Sequence, residues 1–256
     1  MLIRTWNLYH GNSAPPRRVA FLDQMIELAT ADDPDVLCLQ EVPAWALSRF
    51  TAGEVAARPL LGRSAGRVLT DLHHGLLRSA VAGQGNAMQV SPRLTVLDRS
   101  RLILNPRAFR TAKGRAFGLG RSTRLAWAKE RRVAQVVRLR AADERTVLVC
   151  NVHCTSSGDR RLPDAELLRA AEFASSAAAA ADVVVLAGDF NVTVEESPAL
   201  RALTTEEWGF TPAGPGIDHV LVRGAAAGPE RIWPRADREY GDVVLSDHAP
   251  VEVELT

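Results

Sequence analysis

The stretch from residue 182 to residue 191, DVVVLAGDFN, constrains the fold of this chain more than any other part of the sequence. Val183 to Leu186 is an apolar, largely β-branched run, which is too short for a helix of its own and typical of a buried strand. The run breaks at Gly188 into Asp189, Phe190 and Asn191. In layered α/β proteins, polar side chains at the end of such a strand lie where ligands bind. An ordinary turn also favours Asp and Asn, so the choice between these interpretations depends on the rest of the chain.

Strands and helices are predicted to alternate at the start of the chain. Residues 2–9 read as a strand, residues 17–31 as a helix with apolar side chains at steps of three and four, and residues 36–39 as a central strand. This strand-helix-strand opening is typical of α/β layering. Further strands are predicted at residues 131–139, 146–154, 217–222 and 251–255, and a further helix at residues 164–181. Because the sequence shows no internal repeat and no linker, residues 1–256 are predicted to form a single domain.

Two regions are predicted to be mainly connections. Residues 113–124 contain three glycines among basic side chains and are expected to form a flexible loop. Residues 195–208 are expected to form a short acidic helix and a loop.

The cysteine count and the N-terminus suggest an intracellular protein. Cys38, Cys150 and Cys154 are odd in number, lie in or beside apolar strands and lack a metal-binding spacing, so buried reduced thiols are predicted. The sequence shows no signal-peptide pattern and no apolar run that approaches membrane-spanning length. A cytoplasmic location without a membrane span is therefore expected, and no protein partner can be inferred.

The net charge of +1 hides a separation of the two signs. Residues 107–132 contain nine Lys or Arg and one Glu, whereas residues 182–218 contain seven acids and one Arg. Such segregation can place a cation site beside a rim that binds anions. The alternative is that the two segments form solvated faces or pair with each other.

Six predicted strand termini carry a small acid, an amide or an imidazole. These residues are Asn7, Glu41, Asn151 with His153, Asp189 with Asn191, Asp218, and Asp247 with His248. Oxygen ligands without clustered Cys or paired His favour a hard cation, Mg²⁺ or Mn²⁺, over zinc. Since Mg²⁺ usually leaves part of its coordination sphere to water and substrate phosphate, the pattern suits cleavage of a phosphate ester.

Seven short motifs follow one another along the chain: TWNL at 5–8, LQE at 39–41, GNA at 85–87, NVH at 151–153, GDFN at 188–191, IDH at 217–219 and SDHAPV at 246–251. In this order they resemble the motifs of the endonuclease/exonuclease/phosphatase superfamily, the DNase I-like metal-dependent phosphoesterases. This resemblance implies a four-layer α/β sandwich, in which two mixed β-sheets pack face to face with helices outside. It also implies a hydrolase that uses Mg²⁺ or Mn²⁺.

The resemblance further implies a role for each matched residue. Asn7 and Glu41 would hold the metal, with Asp247 as an additional ligand, and Asp189 would orient or deprotonate the attacking water. Asn191 would bind the scissile phosphate, and His248, oriented by Asp218, would stabilise the transition state. His153 would contact phosphate or act as a general acid. Asn86 and Asn151, which lie within the motifs, are further candidates for phosphate binding. Independently of the resemblance, Arg131 or Arg132 could reach a phosphate if their end of the predicted strand faces the site.

The substrate is left open between three interpretations. A nuclease or another phosphodiesterase is favoured, because the basic stretch 107–132 could bind nucleic acid through phosphate contacts and through stacking on Trp127. A phosphatase or phosphodiesterase for small or lipid-derived phosphate esters is the alternative. A non-catalytic scaffold is the third, and candidates at every catalytic position argue against it.

Overall fold

Buried apolar strands alternate with a few helices along the chain, as the sequence pattern predicts. The computed structural model describes residues 1–17, 20–57 and 83–256. Within these ranges the helices are α1 (Leu22–Thr30), α2 (Arg107–Ala116), α3 (Arg121–Ala128), α4 (Arg161–Ala177) and α5 (Pro198–Leu203). The strands are β1 (Leu2–Asn7), β2 (Ser13–Ala14), β3 (Val36–Pro43), β4 (Ala52–Ala57), β5 (Gln84–Val90), β6 (Thr95–Ile103), β7 (Val133–Arg140), β8 (Thr146–His153), β9 (Val183–Asp189), β10 (Asp218–Arg223), β11 (Arg231–Ile232), β12 (Glu239–Tyr240), β13 (Val243–Leu245) and β14 (Val251–Glu254).

The chain divides into two compact units. The first unit comprises Met1–Leu94 and Ala227–Thr256, and the second comprises Thr95–Ala226. Each unit contains one large mixed β-sheet. Two large sheets with helices agree with the predicted α/β class, whereas the single-domain assignment stays a prediction.

The first unit is built on a six-stranded sheet in the order β11-β14-β1-β3-β5-β4. Its central pair, β1 and β3, is parallel, and β14 and β5 flank that pair in antiparallel directions. α1 buries Met25 and Ala29 in one apolar cluster with Leu37 and Leu39 of β3. A parallel central pair covered by a helix is the strand-helix-strand unit that the sequence predicts.

A buried ion pair joins both ends of the chain to α1. The Arg4 Nε atom lies 2.7 Å from the Glu252 carboxylate, and Arg4 Nη1 donates hydrogen bonds to the carbonyls of Ala29 and Ala31. Burial acts to raise the pKa of Glu252, but hydrogen bonds from Arg231, Arg4 and Trp233 outweigh it and lower that pKa. The Arg4 Nε and Nη1 atoms and both Glu252 carboxylate oxygens thus have close partners, which offsets much of the cost of burying these charges.

The second unit is built on a five-stranded sheet in the order β10-β9-β8-β7-β6. β8 and β9 are parallel, and the other neighbouring pairs are antiparallel. α4 covers this sheet by packing Leu167 and Ala171 into one cluster with Leu186 and Phe190. The apolar residues on both faces of β9 are buried, as the run from Val183 to Leu186 predicts.

The prediction of a flexible loop at residues 113–124 is wrong. α2 and α3 occupy most of this segment, and the turn between them contains Gly118 at φ 63°. Gly114 is buried inside α2, where an added Cβ would lie 3.3 Å from Arg124 Nε. Gly118 therefore permits the turn, and Gly114 permits the close contact between the two helices. Composition alone does not distinguish these uses of glycine from a flexible loop.

Trp127 is not accessible for stacking on nucleic-acid bases. Its side chain is buried, and its Nε1 atom donates a 2.6 Å hydrogen bond to Glu166. The indole is thus part of the core, and the suggestion that Trp127 stacks on bases is wrong.

No helix within residues 1–17, 20–57 and 83–256 has the length and apolar character needed to cross a membrane.

Gly188 of β9 lies against the backbone of the neighbouring strand β8. It adopts φ 142°, and an added Cβ would lie 1.9 Å from the carbonyl oxygen of Val152 in β8. No side chain can be accommodated at that distance, so a glycine is required before Asp189.

Replacing Gly188 is expected to weaken the second unit strongly. Gly188→Ala should lower the free energy of unfolding by about 3 kcal/mol or more, because Cβ overlaps the Val152 carbonyl and the backbone disfavours alanine. Gly158→Ala is the matched control, since nothing lies within 4 Å of its added Cβ. Urea denaturation followed by circular dichroism measures both, and equal midpoints for the two variants would contradict the argument.

Candidate active-site residues

Three adjacent strands of the second unit place polar side chains at one edge of the sheet. The parallel register of β8 and β9 pairs His153 with Asp189, and the antiparallel register of β9 and β10 pairs Asp189 with Asp218. All three residues are buried. The sheet thus brings together residues that are far apart in sequence, and each of them was predicted as a site residue.

His153 and Asp189 approach each other at the end of this strand pair. His153 Nε2 lies 3.6 Å from Asp189 Oδ2, which is longer than a hydrogen bond but close enough for a strong electrostatic interaction if the imidazole is protonated. Both side chains are almost fully removed from solvent, where charges interact more strongly than in water.

Arg132 contacts the His153 ring. Its Nη1 atom is 3.0 Å from Nδ1 and 2.9 Å from Nε2 of His153, within hydrogen-bond distance of both ring nitrogens. Because a guanidinium can only donate, the accepting ring nitrogen is the one that carries no proton. Arg132 also forms a 2.9 Å ion pair with Glu130, whereas Arg131 is exposed. Of the two predicted phosphate-binding arginines, the structure places Arg132 at His153.

Asn191 connects the end of β9 to the end of β8 through hydrogen bonds. It adopts φ 55°, its backbone N–H donates to Asp189 Oδ1 over 2.9 Å, and its side-chain Nδ2 donates to the Cys154 carbonyl over 3.0 Å. Asn is one of the few residues that tolerates this backbone conformation. The amide therefore has a structural task besides any contact with a ligand.

The cysteines of both units are buried thiols. Cys38, Cys150 and Cys154 are all reduced and buried, as predicted. Burial raises the pKa of Cys150 to about 12 and, together with the nearby Glu166 and Asp189 carboxylates, raises the pKa of Cys154 well above its usual value. Thiols of this kind are poor nucleophiles, so they belong to the packing and not to the chemistry.

Asn151 and Asn86 are polar residues inside central strands. Asn151 is fully buried in β8, two residues before His153 and on the same face of the strand. Asn86 is buried in β5 of the first unit, opposite Glu54 of β4.

In the first unit, the parallel register of β1 and β3 places Asn7 beside Gln40, the residue before Glu41. Glu41 adopts φ 51° at the register shift between Leu39 and Val42, which turns the chain locally out of the regular strand. The carboxylate is partly exposed, and its Oε2 lies 3.0 Å from His10 Nε2. Asn7 Oδ1 accepts a hydrogen bond from the Tyr9 N–H. An amide oxygen at the end of β1 and a carboxylate at the irregularity in β3 thus lie on neighbouring strands.

Asp247 and His248 lie in a turn that is held by its backbone. Ser246 Oγ donates to the Asn7 carbonyl over 2.7 Å and accepts from the His248 N–H over 3.1 Å. The His248 carbonyl accepts from Trp6 Nε1 over 2.9 Å and from Arg238 Nη1 over 2.7 Å. Asp247 is exposed and His248 half-buried, and their nearest side-chain atoms are 4.0 Å apart.

Sequence reasoning missed several residues that hold these groups in place. Trp6 was noted only as part of a motif, yet it anchors the His248 backbone. His10 contacts Glu41, and nothing in its spacing indicated that.

Glu166 was also missed, because it lies among the apolar residues of α4. Its carboxylate accepts from Trp127 Nε1 over 2.6 Å and from the Thr155 N–H and Oγ over 2.6 and 2.8 Å. Burial raises the pKa of Glu166, and these hydrogen bonds act in the opposite direction. Glu166 thereby fixes the segment that follows His153.

Comparison with known proteins agrees with these motifs. The model of the Endonuclease/Exonuclease/phosphatase family matches residues 5–248. No curated protein matches the chain.

Three solved structures share the fold at low sequence identity. An endonuclease/exonuclease/phosphatase from Bacteroides vulgatus is 19% identical with a TM-score of 0.64, over 100% of this chain and 98% of that chain. A truncated TDP2 from Caenorhabditis elegans is 14% identical with a TM-score of 0.60, over 99% and 96% of the two chains. A mannosyl-6-phosphatase from Bacteroides thetaiotaomicron is 14% identical with a TM-score of 0.56, over 100% and 99%.

These likenesses confirm the predicted fold class, a mixed α/β fold with two large β-sheets. Because the family match runs through all seven motifs, from Thr5 in the first to His248 in the last, the chain belongs to the Endonuclease/Exonuclease/phosphatase family of phosphoesterases.

Proposed function

We propose that this protein hydrolyses phosphodiester bonds with the help of Mg²⁺ or Mn²⁺, and that its substrate is nucleic acid. The observation that carries the proposal is the alignment of His153, Asp189 and Asp218 across three neighbouring strands, with Arg132 against the imidazole. This arrangement offers an acid, a base and a cation at one sheet edge, which are the groups that transfer of a phosphoryl centre to water requires.

The residues of the first unit fit a hard cation. Asn7 and Glu41 offer one amide oxygen and one carboxylate on adjacent strands, and Asp247 offers an exposed carboxylate. One or two carboxylates are what Mg²⁺ usually takes from a protein, and the family is generally dependent on divalent metal ions. When bound, the cation supplies Lewis-acid stabilisation of the negative charge on the phosphate.

Each remaining residue has a task that its surroundings support. Asp189 would orient or deprotonate the attacking water, and its Oδ1 is already held by the Asn191 N–H. Asn191 would bind the phosphate through the amide N–H that does not donate to Cys154. His153, under the charge of Arg132, would contact phosphate or serve as general acid. Asp218 would orient an imidazole, and His248 would stabilise the charge that develops on phosphorus.

A phosphatase or phosphodiesterase for small or lipid-derived phosphate esters is the second candidate. The structural likeness to a mannosyl-6-phosphatase favours this candidate, whereas the likeness to TDP2 favours neither of the two candidate functions. Because Trp127 is buried, base stacking on it no longer supports a nucleic-acid substrate. Phosphate contacts still do, because α2 and α3 carry exposed cations, which include Arg107, Arg115 and Arg121.

Glu41→Ala is expected to abolish metal-dependent turnover. Removing the carboxylate should reduce the rate by roughly 10²-fold or more, because the cation would lose its main protein ligand. The fold should persist, since the side chain lies at the irregularity in β3 and is partly exposed. Turnover with Mn²⁺ is measured beside Glu27→Ala, which removes the same charge from an exposed position of α1. Equal rates for the two variants would reject Glu41 as a ligand.

Asp189→Asn is expected to lower the rate by about 10²- to 10⁴-fold, the range typical of a lost general acid or base. Asn keeps an oxygen that can accept from the Asn191 N–H, so only the charge and the basicity are removed. The control is Asp143→Asn, which makes the same change at an exposed site of the second unit. Near-normal turnover of Asp189→Asn, with an unchanged circular dichroism spectrum, would remove Asp189 from the mechanism.

Supercoiled plasmid nicking decides between the two candidate functions. We expect nicking in Mg²⁺ or Mn²⁺ that disappears with EDTA and in Glu41→Ala. Binding should weaken steeply with salt, because each neutralised phosphate contributes a slope of about −0.9 in log K against log salt. Hydrolysis of mannose 6-phosphate or an aryl phosphodiester without nicking would instead support the small-substrate candidate. Absence of turnover on every substrate, with metal bound, would favour the scaffold.

A further inference from the structure

His10 lies in a strained turn directly after β1. Tyr9, His10 and Gly11 have φ values of 47°, 56° and 78°, so two residues with side chains occupy the left-handed region in succession. This conformation is unfavourable for residues other than glycine. Three backbone hydrogen bonds of 2.7 to 2.9 Å, which involve Leu8, Tyr9 and Gly11, hold the turn closed. The surrounding structure thus stabilises an otherwise costly placement of the His10 side chain.

The imidazole of His10 is directed at Glu41. Its Nε2 atom lies 3.0 Å from Glu41 Oε2, and the ring is largely buried. Glu41 itself adopts φ 51° at the irregularity in β3. Two residues in left-handed conformations therefore meet through their side chains, and each would point elsewhere if its backbone were regular.

Among the residues that the structure describes, the second ring nitrogen of His10 makes no hydrogen bond. His10 Nδ1 is buried and has no hydrogen-bond partner in the described part of the chain. A buried histidine with a purely structural task usually satisfies both nitrogens, because an unpaired buried polar atom costs free energy. Within the described ranges, the polar contact of this ring is the one with Glu41. That contact opposes the free-energy cost of the strained turn and of the unpaired Nδ1.

We infer that His10 is a positioning residue that holds the Glu41 carboxylate ready for a divalent cation. This inference rests on the proposed function of Glu41 as a metal ligand. An N–H donor on one carboxylate oxygen restricts the rotamers of the glutamate before the cation binds, so less conformational entropy is lost on binding. Partners of this kind typically change metal affinity by 10- to 100-fold when they are removed.

Two substitutions of His10 separate the contact from the backbone. His10→Asn keeps a residue that tolerates the left-handed conformation, but its side chain is too short to reach Glu41 as Nε2 does. His10→Gln extends an amide N–H toward the same position. We expect His10→Asn to weaken Mn²⁺ binding by roughly 10- to 100-fold, and His10→Gln to restore most of the affinity.

The readout is Mn²⁺ affinity, measured by isothermal titration calorimetry and by the electron paramagnetic resonance signal of free Mn²⁺. Leu22→Ala is the stability control, because Leu22 packs against Gly11 in the core but does not contact the carboxylate. It should lower the melting temperature and leave Mn²⁺ affinity unchanged. The His10→Asn substitution should have no further effect on Mn²⁺ affinity in a Glu41→Ala background.

The outcomes distinguish this inference from the proposed function. If wild-type protein binds no Mn²⁺, the metal-dependent function fails. If wild-type protein binds Mn²⁺ and Glu41→Ala weakens that binding, but His10→Asn binds as tightly as wild type, only the positioning role is overturned. Loss of affinity in His10→Asn, Leu22→Ala and His10→Gln alike would also overturn it, because general destabilisation would then explain the result.

Discussion

The parallel pairing of β8 with β9 is the constraint on which the second unit depends. Its register runs from Val147 opposite Val183 to His153 opposite Asp189. Apolar residues on both faces fix that register, because a slip by one residue would move every side chain to the other face. Gly188 lets the strands approach at the end of the pair, where an added Cβ would overlap the Val152 carbonyl. The positions of His153 and Asp189 therefore follow from packing that lies several residues away.

The first unit places its polar groups by a related principle. Parallel pairing of β1 with β3 aligns Asn7 with Gln40, and the irregularity at Glu41 then redirects the next side chain. Hydrogen bonds to backbone atoms complete the arrangement, as Trp6 and Ser246 show by holding the turn before His248 and the end of β1. Strained or tightly bonded backbone is typical of positions where side chains must be held in one orientation.

Two of the side chains proposed to take part in the chemistry have a neighbour that no motif contains. Glu41 has His10 and His153 has Arg132, while the segment after His153 is held by the buried Glu166. Neighbours of this kind typically restrict the motion of a side chain before a ligand arrives. They act through ordinary hydrogen bonds and ion pairs between residues that are remote along the chain, so no short motif predicts them.

The sequence by itself determined the alternation of strands and helices, the buried cysteines and the family, because hydrophobic periodicity and motif order are local or linear properties. It also indicated that Asp189, His153 and Asp218 stand at strand termini. It did not show that Gly114 and Gly118 belong to two helices and their turn, or that Trp127 is buried against Glu166. It gave no sign of His10 beside Glu41. Those facts were decided by tertiary structure, since they depend on contacts between residues that are remote along the chain and on backbone angles that only packing can impose.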